Sequence, residues 1–565
     1  MKQNKPVYIL GTGLSHDGSS VLMKDGEIIV GIEKERLSRV KHDGGSDRLS
    51  VQYCLGAAGI SENDLSMVVQ AAHFDKDNIG THRYQGKRFF SKIFNVPIYS
   101  ISHHLAHAYS AVGTSPFDAC NVMIIDGSGS PYEQCDDLEG AEIPRQPFNT
   151  RLFCEKDSFY FFDGQNMKTL YKDFSEVKAF DGKGIRLPTN YHSIGGMYSA
   201  ASHYCFGDMN DAGKLMGLAP YGNRLSEQEI FILKDGYVKV DYDVLQEFFT
   251  NPSADYQQFK GNFQHYADVA KWVQKETERA ILYVFQERLK MKEHENLAYA
   301  GGVALNAVTN ARLLPETGIK NLYMQPAAGD NGLALGCAYY GWLQLLKNKK
   351  VKYTGSPFMG REYSKEEILK AIEDFELSSG RPVKYTETQD HITEMARFLK
   401  GGKVLAWFQA GAEFGPRALG HRSILADPRS LGIRDHINLN IKFREDFRPF
   451  APAVKETDVA KYFEDGFISP YMILIDRIKE EWKDLVPGIV HQDGTCRVQT
   501  VTPDWNSGFY NLLDAFEKES GIGILLNTSF NKKGMPIVET PAEALDLFFN
   551  TAIDILVLEN LIIEK

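Results

Sequence analysis

Three stretches of this sequence share one plan: an apolar strand, a glycine turn, then polar or helical sequence. They are "VMIIDGSGS" at 122–130, "LAYAGGVALNAVTNARLL" at 297–314 and "LYMQPAAGDNGLALGCAYYGWLQLL" at 322–346. Strand, turn and helix repeated in this way dictate an α/β architecture with ligand-facing turns at the strand ends. The beginning of the chain agrees. "VYILGTG" at 7–13 reads as a strand, and "SVLMKDGEIIVGIE" at 20–33 as a hairpin turning at Asp25-Gly26. "SMVVQAAHF" at 66–74 and "VPIYSIS" at 96–102 read as further strands leading into a helix, "HHLAHAYSAV". A long middle section contains aromatic- and glycine-rich loops, including "YHSIGGMYSAASHYCFGD" and "DAGKLMGLAPYG", and 265–292 reads as a long helix. A polar, basic, turn-rich run at 347–357 is the expected linker, after which a second α/β pattern extends to the terminal "DILVLENLIIEK". The expected domains are therefore 1–355 and 356–565.

A chain of 565 residues exceeds one comfortable core, which fits two domains. Its 43% hydrophobic and 24% charged residues are those of a soluble globular protein. The start lacks a signal-type apolar core, and no run approaches the roughly 18 apolar residues of a membrane span. Seven scattered cysteines with no C-x-x-C spacing argue against a disulfide framework or a cysteine zinc site, and a cytoplasmic location is expected. A net charge of −11 disfavours wholesale nucleic-acid binding.

Two groups of residues carry chemistry. His103 and His107 lie four apart on one helical face, a spacing that suits zinc or iron. Asp126 and Asp330 each end a strand beside glycines, where a carboxylate reaches a ligand unobstructed. Two His with one or two Asp form a set for Fe, Zn or Mn. The alternatives are histidines satisfied within the core and aspartates serving as turn or capping residues. His104 points away from the pair and reads as structural. The glycine turns attract phosphate oxygens through freed backbone N–H groups, yet neither a P-loop nor a G-x-G-x-x-G fingerprint occurs. Several separate strand–turn elements converging on a nucleotide are typical of actin-like and sugar-kinase folds.

The second group is the stretch 413–454, with seven cations against five anions in 42 residues. Arg417, Arg422, Arg429, Arg434, Lys442, Arg444 and Arg448 are interleaved with Pro and Gly, which does not make a helix face. Arginine forks suit phosphate or carboxylate capture, although a salt-bridged surface is the plainer reading. Arg497 and the strand end "LLNTSF", with Asn527 and Ser529, add to it.

The ordered set "GLSHDGSSVLMKDGEIIVGIEKERLSRVKHD", "HHLAHAYSA", "GKLMGLAPYG", "GGVALN", "GPRALGHRSILADPR", "KFREDFRPFAPAV" and "LLNTSFNKKGMPIVETPAEA" resembles the NodU/CmcH-type O-carbamoyltransferases over nearly the whole chain. The resemblance implies an N-terminal actin-like domain similar to the metal-dependent subunit of tRNA threonylcarbamoyl transferase. It implies a C-terminal YrdC-like domain that converts carbamoyl phosphate and ATP, with Mg, into carbamoyladenylate. The carbamoyl group then passes to a hydroxyl of a small-molecule acceptor. By the same resemblance His103, His107, Asp126 and Asp330 match the family's iron ligands, and His16 its catalytic base. Lys41, Gly127, Ser128, Gly129, Gly301, Gly302 and Asn306 match nucleotide contacts of the first domain. Arg417, Arg448 and Ser529 match the carbamoyl phosphate site, with Lys442, Arg497 and Asn527 near ATP or the adenylate. Asp211, in the section 131–225, is the candidate acceptor contact. Expected partners are carbamoyl phosphate, ATP and a hydroxylated acceptor, with no nucleic acid and no membrane; a homodimer is the default. The rival readings are a tRNA threonylcarbamoylation-type enzyme and a non-catalytic actin-like nucleotide-binding regulator.

Overall fold

The computed structural model describes residues 5–72, 88–90, 95–177 and 190–565. The chain divides into two compact units: Met1–Ile29 with Asp43–Tyr353, and Val30–His42 with Thr354–Lys565. The main division lies within the expected linker. The transfer of Val30–His42 to the second unit has no counterpart in the sequence-based limits.

The first unit is built on two five-stranded sheets. One comprises β1 (Tyr8–Gly13), β2 (Ser19–Lys24), β3 (Glu27–Glu33), β4 (Met67–Ala72) and β5 (Ile98–Ser102), in the order β3-β2-β1-β4-β5. Helices α1 (Lys34–Ser38) and α2 (Arg48–Ala58) follow β3, and α3 (His103–Thr114) follows β5 directly; the end of β3 from Val30 and all of α1 fall in the segment that groups with the second unit. The last two residues of the expected strand "SMVVQAAHF" lie outside the described residues. The other sheet comprises β6 (Cys120–Ile125), β7 (Phe153–Phe162), β8 (Met167–Glu176), β11 (Asn296–Ala300) and β12 (Asn321–Met324). Its order is β8-β7-β6-β11-β12. A separate two-stranded hairpin pairs β9 (Phe231–Lys234) with β10 (Tyr237–Val240).

The two sheets repeat one topology. In each, the first strand pairs antiparallel with the second and parallel with the fourth, and the fifth lies parallel beyond it. After β8 come α4 (Ile194–Phe206), α5 (Ala212–Leu218), α6 (Tyr242–Phe248), α7 (Tyr256–Gly261) and the long α8 (Phe263–Leu289). Then α9 (Ala307–Thr317) joins β11 to β12, and α10 (Leu333–Tyr340) follows β12. By this correspondence α10 holds in the second sheet the place that α3 holds in the first.

These two helices pack on each other. Every residue of α3 is buried, as expected of a helix without a solvent face. Close approach depends on small residues. A Cβ on Gly336 would sit 1.7 Å from the Ala106 carbonyl oxygen, and one on Gly113 would sit 2.2 Å from the Tyr339 ring. A Cβ on Gly11 of β1 would lie 2.0 Å from the Ala334 oxygen, so α10 also lies tight on the first strand.

The middle section is more regular than its two loop-read stretches suggest, since these form α4 and α5. It also contains the ten-residue strands β7 and β8. The strands are hidden for a chemical reason. Glu155, Lys156, Asp157, Lys172 and Asp173 all lie buried inside the hairpin, paired as Lys172 with Glu155, Lys156 with Asp173 at 2.7 Å, and Arg288 with Asp157 at 3.0 Å. Charges inside a sheet erase the apolar alternation that marks a strand.

In the second unit an eight-stranded mixed sheet carries the core. Its strands are β13 (Tyr385–Glu387), β14 (Leu405–Phe408), β15 (Arg422–Ala426), β16 (Ala451–Lys455), β19 (Gln499–Val501), β20 (Ile524–Ser529), β21 (Ile555–Leu558) and β22 (Leu561–Glu564). The order is β13-β22-β21-β14-β15-β20-β16-β19. A small pair, β17 (Ile475–Arg477) and β18 (Thr495–Arg497), lies outside it. Helices Lys365–Ser379, His391–Lys400, Pro503–Ser520 and Pro541–Phe549 supply Ile368, Met395, Phe509, Leu513, Leu545 and Phe548 to the core. Among the described residues no helix is long and apolar enough to cross a membrane, and all seven cysteines are free and buried.

Two helical glycines give an opposite pair of outcomes. Gly336→Ala should lower stability by about 1–3 kcal/mol, because the methyl group meets backbone of α3. Gly56→Ala in α2, where a Cβ meets nothing within 4 Å, should raise it by about 0.5–1 kcal/mol. Urea unfolding of both variants measures the signs; a stabilised Gly336→Ala protein would contradict the packing described.

Candidate functional site

His103 and His107 face one way from α3, Asp126 follows the last residue of β6, and Asp330 precedes α10. One ligand atom from each of these four residues lies within 4.8 Å of the others, and all four residues are buried. The His103 Nε2 atom is 3.0 Å from Asp126 Oδ2 and 3.2 Å from Asp330 Oδ1, and 3.2 Å from His107 Nε2. His107 Nε2 lies 3.6 Å from Asp126 and 3.7 Å from Asp330. Donors each about 2.0–2.2 Å from one cation stand about 3–4 Å apart, so these spacings fit a single ion.

Burial opposes charge on all four groups, but their mutual pairing outweighs it. His103 is raised to about 10 and His107 is also raised, while Asp126 and Asp330 are held well below the usual carboxylate range. His16, in the turn after β1, places Nδ1 3.1 Å from Asp330 Oδ2 and Nε2 3.2 Å from Asp17, with its side chain 37% exposed. Burial would lower its pKa; Asp17 and Asp330 outweigh that and raise it to about 10. It is thus the half-buried group at the edge of a buried cluster.

Glycines frame Asp126. A Cβ on Gly301 would lie 2.3 Å from the Ile125 oxygen, and one on Gly195 would lie 2.7 Å from the Gly127 nitrogen. The Gly302 N–H donates to Asp126 Oδ1 at 3.0 Å. Beneath the turn Gly127–Gly129, the buried Glu155 carboxylate accepts from the N–H groups of Ser130 (2.8 Å) and His104 (3.1 Å). Burial would raise Glu155, but Lys172 and His104 prevail and it falls to about 2. His104 is occupied by Ser158 at 2.7 Å, in keeping with a structural role. Asn306 caps α9 through Thr309 and exchanges amide hydrogen bonds with Gln274, both at 3.1 Å. Ser128 Oγ is buried without a hydrogen-bond partner among the described residues. Asp211 forms an ion pair with Lys214 at 2.5 Å. Part of the section read as the acceptor region, 178–189, lies outside the described residues.

The sequence reading places Lys41 with the first-domain nucleotide contacts; in the structure it lies in the segment Val30–His42, which groups with the second unit. There its positive charge acts on Lys442. A thirteen-residue excursion into another unit leaves no trace in local composition.

The second unit gathers cations. Arg417 comes from the loop between β14 and β15, Lys442, Arg444 and Arg448 from the stretch before β16, and Arg497 from the end of β18. Burial lowers the pKa of each of Arg417, Lys442, Arg444 and Arg497, and their cationic neighbours push them down further, Arg417 to about 10. Among the described residues Lys442 Nζ donates only to neutral oxygens: the Ser529 carbonyl at 2.6 Å, Ser529 Oγ at 3.2 Å and Asn531 Oδ1 at 2.6 Å. Arg417 and Arg497 have buried Nε atoms without a partner among the described residues. Glu445 is the one acidic group raising Arg444, and it lies 3.7 Å from Arg448. Asn527 donates to the Ala418 carbonyl and to Gln499, which steadies the Arg417 loop.

Arg444 was visible in the charged stretch but carried no site assignment; its neighbours place it in this cluster. Arg422 and Arg429 instead serve structure, the first donating to the Gln409 and Ala410 carbonyls, the second pairing with Asp427. Side-chain convergence decides this, and charge counting does not.

A fold with a buried His/His/Asp/Asp cluster in one unit and a gathering of cations in the other is equipped to handle anionic activated groups. The carbamoyltransferase N-terminus family profile matches residues 8–84 and 83–339, and the carbamoyltransferase C-terminus profile matches 396–565. The chain belongs to the carbamoyltransferase family and is a carbamoyl-transferring enzyme. Its relatives include the uncharacterized protein sll1178 of Synechocystis sp., 31% identical over 99% of this chain and 97% of that one. The nodulation protein NolNO of Sinorhizobium fredii is 30% identical over 97% of this chain and 79% of its own length. The 3'-hydroxymethylcephem-O-carbamoyltransferase of Amycolatopsis lactamdurans is 28% identical over 92% of each chain.

One histidine offers a pH test. The His421 ring stacks on Phe358 with centroids 3.3 Å apart, and its Nδ1 lies 2.8 Å from the Gly411 carbonyl oxygen. Burial lowers its pKa from 6.5 to about 4, although Glu413 pulls the other way. The unfolded chain therefore takes up this proton first as pH falls, and native stability drops through the window from 6.5 to about 4. Urea unfolding of wild type and His421→Asn across that window should show the wild type losing ground to the variant. A constant difference would contradict a neutral buried imidazole.

Proposed function

We propose that this carbamoyltransferase is an ATP-dependent O-carbamoyltransferase acting on a hydroxylated small molecule. The observation that carries the reading is the cluster of Arg417, Lys442, Arg444, Arg448 and Arg497, in which Arg417, Lys442 and Arg497 have no ion pair among the described residues and the cations outnumber the single carboxylate, Glu445, that faces Arg444 and Arg448. Leaving such charges unpaired is costly unless a polyanion completes the site. Carbamoyl phosphate beside a nucleoside triphosphate meets that demand.

In this reading the second unit, taken as YrdC-like, hydrolyses carbamoyl phosphate: one water adds as the bond to phosphate breaks, giving carbamate, inorganic phosphate and a proton. The carbamate oxygen then attacks the α-phosphorus of ATP, giving carbamoyladenylate and pyrophosphate. Arg417, Arg448 and Ser529 hold the phosphate of the first substrate; Lys442, Arg497 and Arg444 face the triphosphate. The duplicated sheet topology supports an actin-like reading of the first unit. There the N–H groups of the turns Gly127–Gly129 and Gly301–Gly302 would meet the adenylate phosphate. The acceptor oxygen attacks the carbamoyl carbon, AMP leaves, and His16 takes the hydroxyl proton. With the carboxylates of Asp17 and Asp330 beside it His16 stays protonated, so its service as a base requires that their negative charge be offset.

His103, His107, Asp126 and Asp330 would hold the metal, with Fe(II), Zn or Mn suited to two imidazoles and two carboxylates. When bound, the ion supplies a Lewis acid for the phosphate and carbamoyl oxygens. Asp330 also touches His16, so one residue would serve both the cation and the base.

Two outcomes test this function. Full-length enzyme with carbamoyl phosphate should exchange labelled pyrophosphate into ATP, and Arg497→Ala should reduce that exchange at least about a hundredfold. Exchange that proceeds equally without carbamoyl phosphate, or in the variant, would contradict the reading. Separately, purified enzyme should carry one transition metal per chain by elemental analysis, and His107→Ala or Asp330→Asn should lose it while pyrophosphate exchange persists. A variant that keeps its metal would remove these residues from the metal site.

A further inference from the structure

The segment Val30–His42, which the second unit takes from the N-terminal part of the chain, ends in a fixed grip on one loop. The Gly415 N–H donates to Glu33 Oε1, and Arg36 Nη2 donates to the Gly415 carbonyl oxygen at 2.8 Å. Glu33 and Arg36 pair with each other at 2.9 Å, with side chains 6% and 1% exposed. A single buried ion pair thus holds both polar backbone groups of one residue. Gly415 has φ of 131°, a conformation closed to other residues, and it lies two positions before Arg417.

The segment is itself anchored on both sides of this grip. Gly31 N–H donates to the Met359 carbonyl at 2.8 Å. Arg39 donates to the carbonyls of Ile537 (2.8 Å) and Pro536 (2.9 Å) and pairs with Glu543 at 3.2 Å. Beyond Arg417 the loop is tied down again. Glu413 Oε1 accepts from the N–H groups of Leu419, His421 and Arg422 at 2.8, 2.8 and 3.1 Å, and Gln499 donates to the Leu419 carbonyl at 2.7 Å. Between these ties the Arg417 side chain has no hydrogen-bond or ion-pair partner among the described residues. A half-buried guanidinium therefore projects from a backbone fixed on either side.

We propose that Glu33 and Arg36 are positioning residues that hold Arg417 in place to bind the phosphate group of the carbamoyl donor. The claim rests on the anion-binding cluster proposed above and adds residues that lie outside the charged stretch and outside the matched C-terminus. Neither touches the substrate. Their effect passes through the Gly415 peptide, and a small displacement of a binding group costs much of its contribution. The chemistry recognised is a phosphate dianion or phosphoester, which an arginine fork meets with paired donors.

The test is isothermal titration of full-length protein with inorganic phosphate, and with carbamoyl phosphate in steady-state assays. Arg36→Met should weaken phosphate binding at least about tenfold and raise KM for carbamoyl phosphate, with kcat changed less. Glu33→Gln keeps an acceptor for Gly415 but loses the pairing with Arg36, and should show the same effect in smaller degree; it carries the test if Arg36→Met does not fold. Arg36→Lys, which restores the charge, should recover part of the affinity. Arg417→Ala is the reference. If Arg417→Ala weakens phosphate binding while Glu33→Gln and folded Arg36→Met stay within twofold of wild type, the positioning role is overturned and the anion-binding cluster stands. Should Arg417→Ala bind phosphate as wild type does, the pocket reading fails and the inference with it.

Discussion

The close packing of α3 on α10 is the constraint on which the first unit depends. Helices normally stand 8–10 Å apart, and they approach more closely only where side chains are absent. Here Gly113 and Gly336 remove the side chains that would separate them, and Gly11 lets α10 lie on β1. That approach brings Asp330, at the start of α10, against His103 and His107 of α3. A wider spacing would leave the two imidazoles facing Asp126 alone. The site is therefore a consequence of backbone packing before it is a matter of ligand chemistry.

The duplicated topology explains why four separate segments meet. His16 follows the first strand of one sheet and Asp126 follows the first strand of the other. His103 and His107 lie on the helix after the last strand of one sheet, and Asp330 precedes the helix after the last strand of the other. Equivalent ends of two like sheets thus supply the whole cluster. Burial makes this set costly in the absence of a cation. Two imidazole nitrogens 3.2 Å apart, each also close to two carboxylates, concentrate charge where water does not reach.

Much of this was legible in the sequence for local reasons. Apolar runs closed by glycine turns marked β6, β11 and β12, and Asp25-Gly26 marked the first hairpin. The i, i+4 spacing of His103 and His107 placed them on one face, because helical geometry is set by the backbone. Convergence of Asp126 and Asp330 on that face was not legible from spacing; it rested on resemblance until the structure showed the distances. What stayed hidden depended on long-range pairing. The strands β7 and β8 were masked by charges that neutralise one another only in the folded hairpin. The grouping of the Lys41 segment with the other unit and the place of Arg444 among the cations are equally hidden, because local sequence shows neither.

The central claim is that His103, His107, Asp126 and Asp330 form one metal site. Its most direct test is a crystal structure of the full chain after anaerobic loading with Fe(II) or Mn(II), with anomalous scattering collected at the metal edge. The account requires one anomalous peak bonded to the Nε2 atoms of both histidines and to a carboxylate oxygen of each aspartate. A peak held by other residues, or four side chains paired as here with no peak among them at saturating metal, would contradict it.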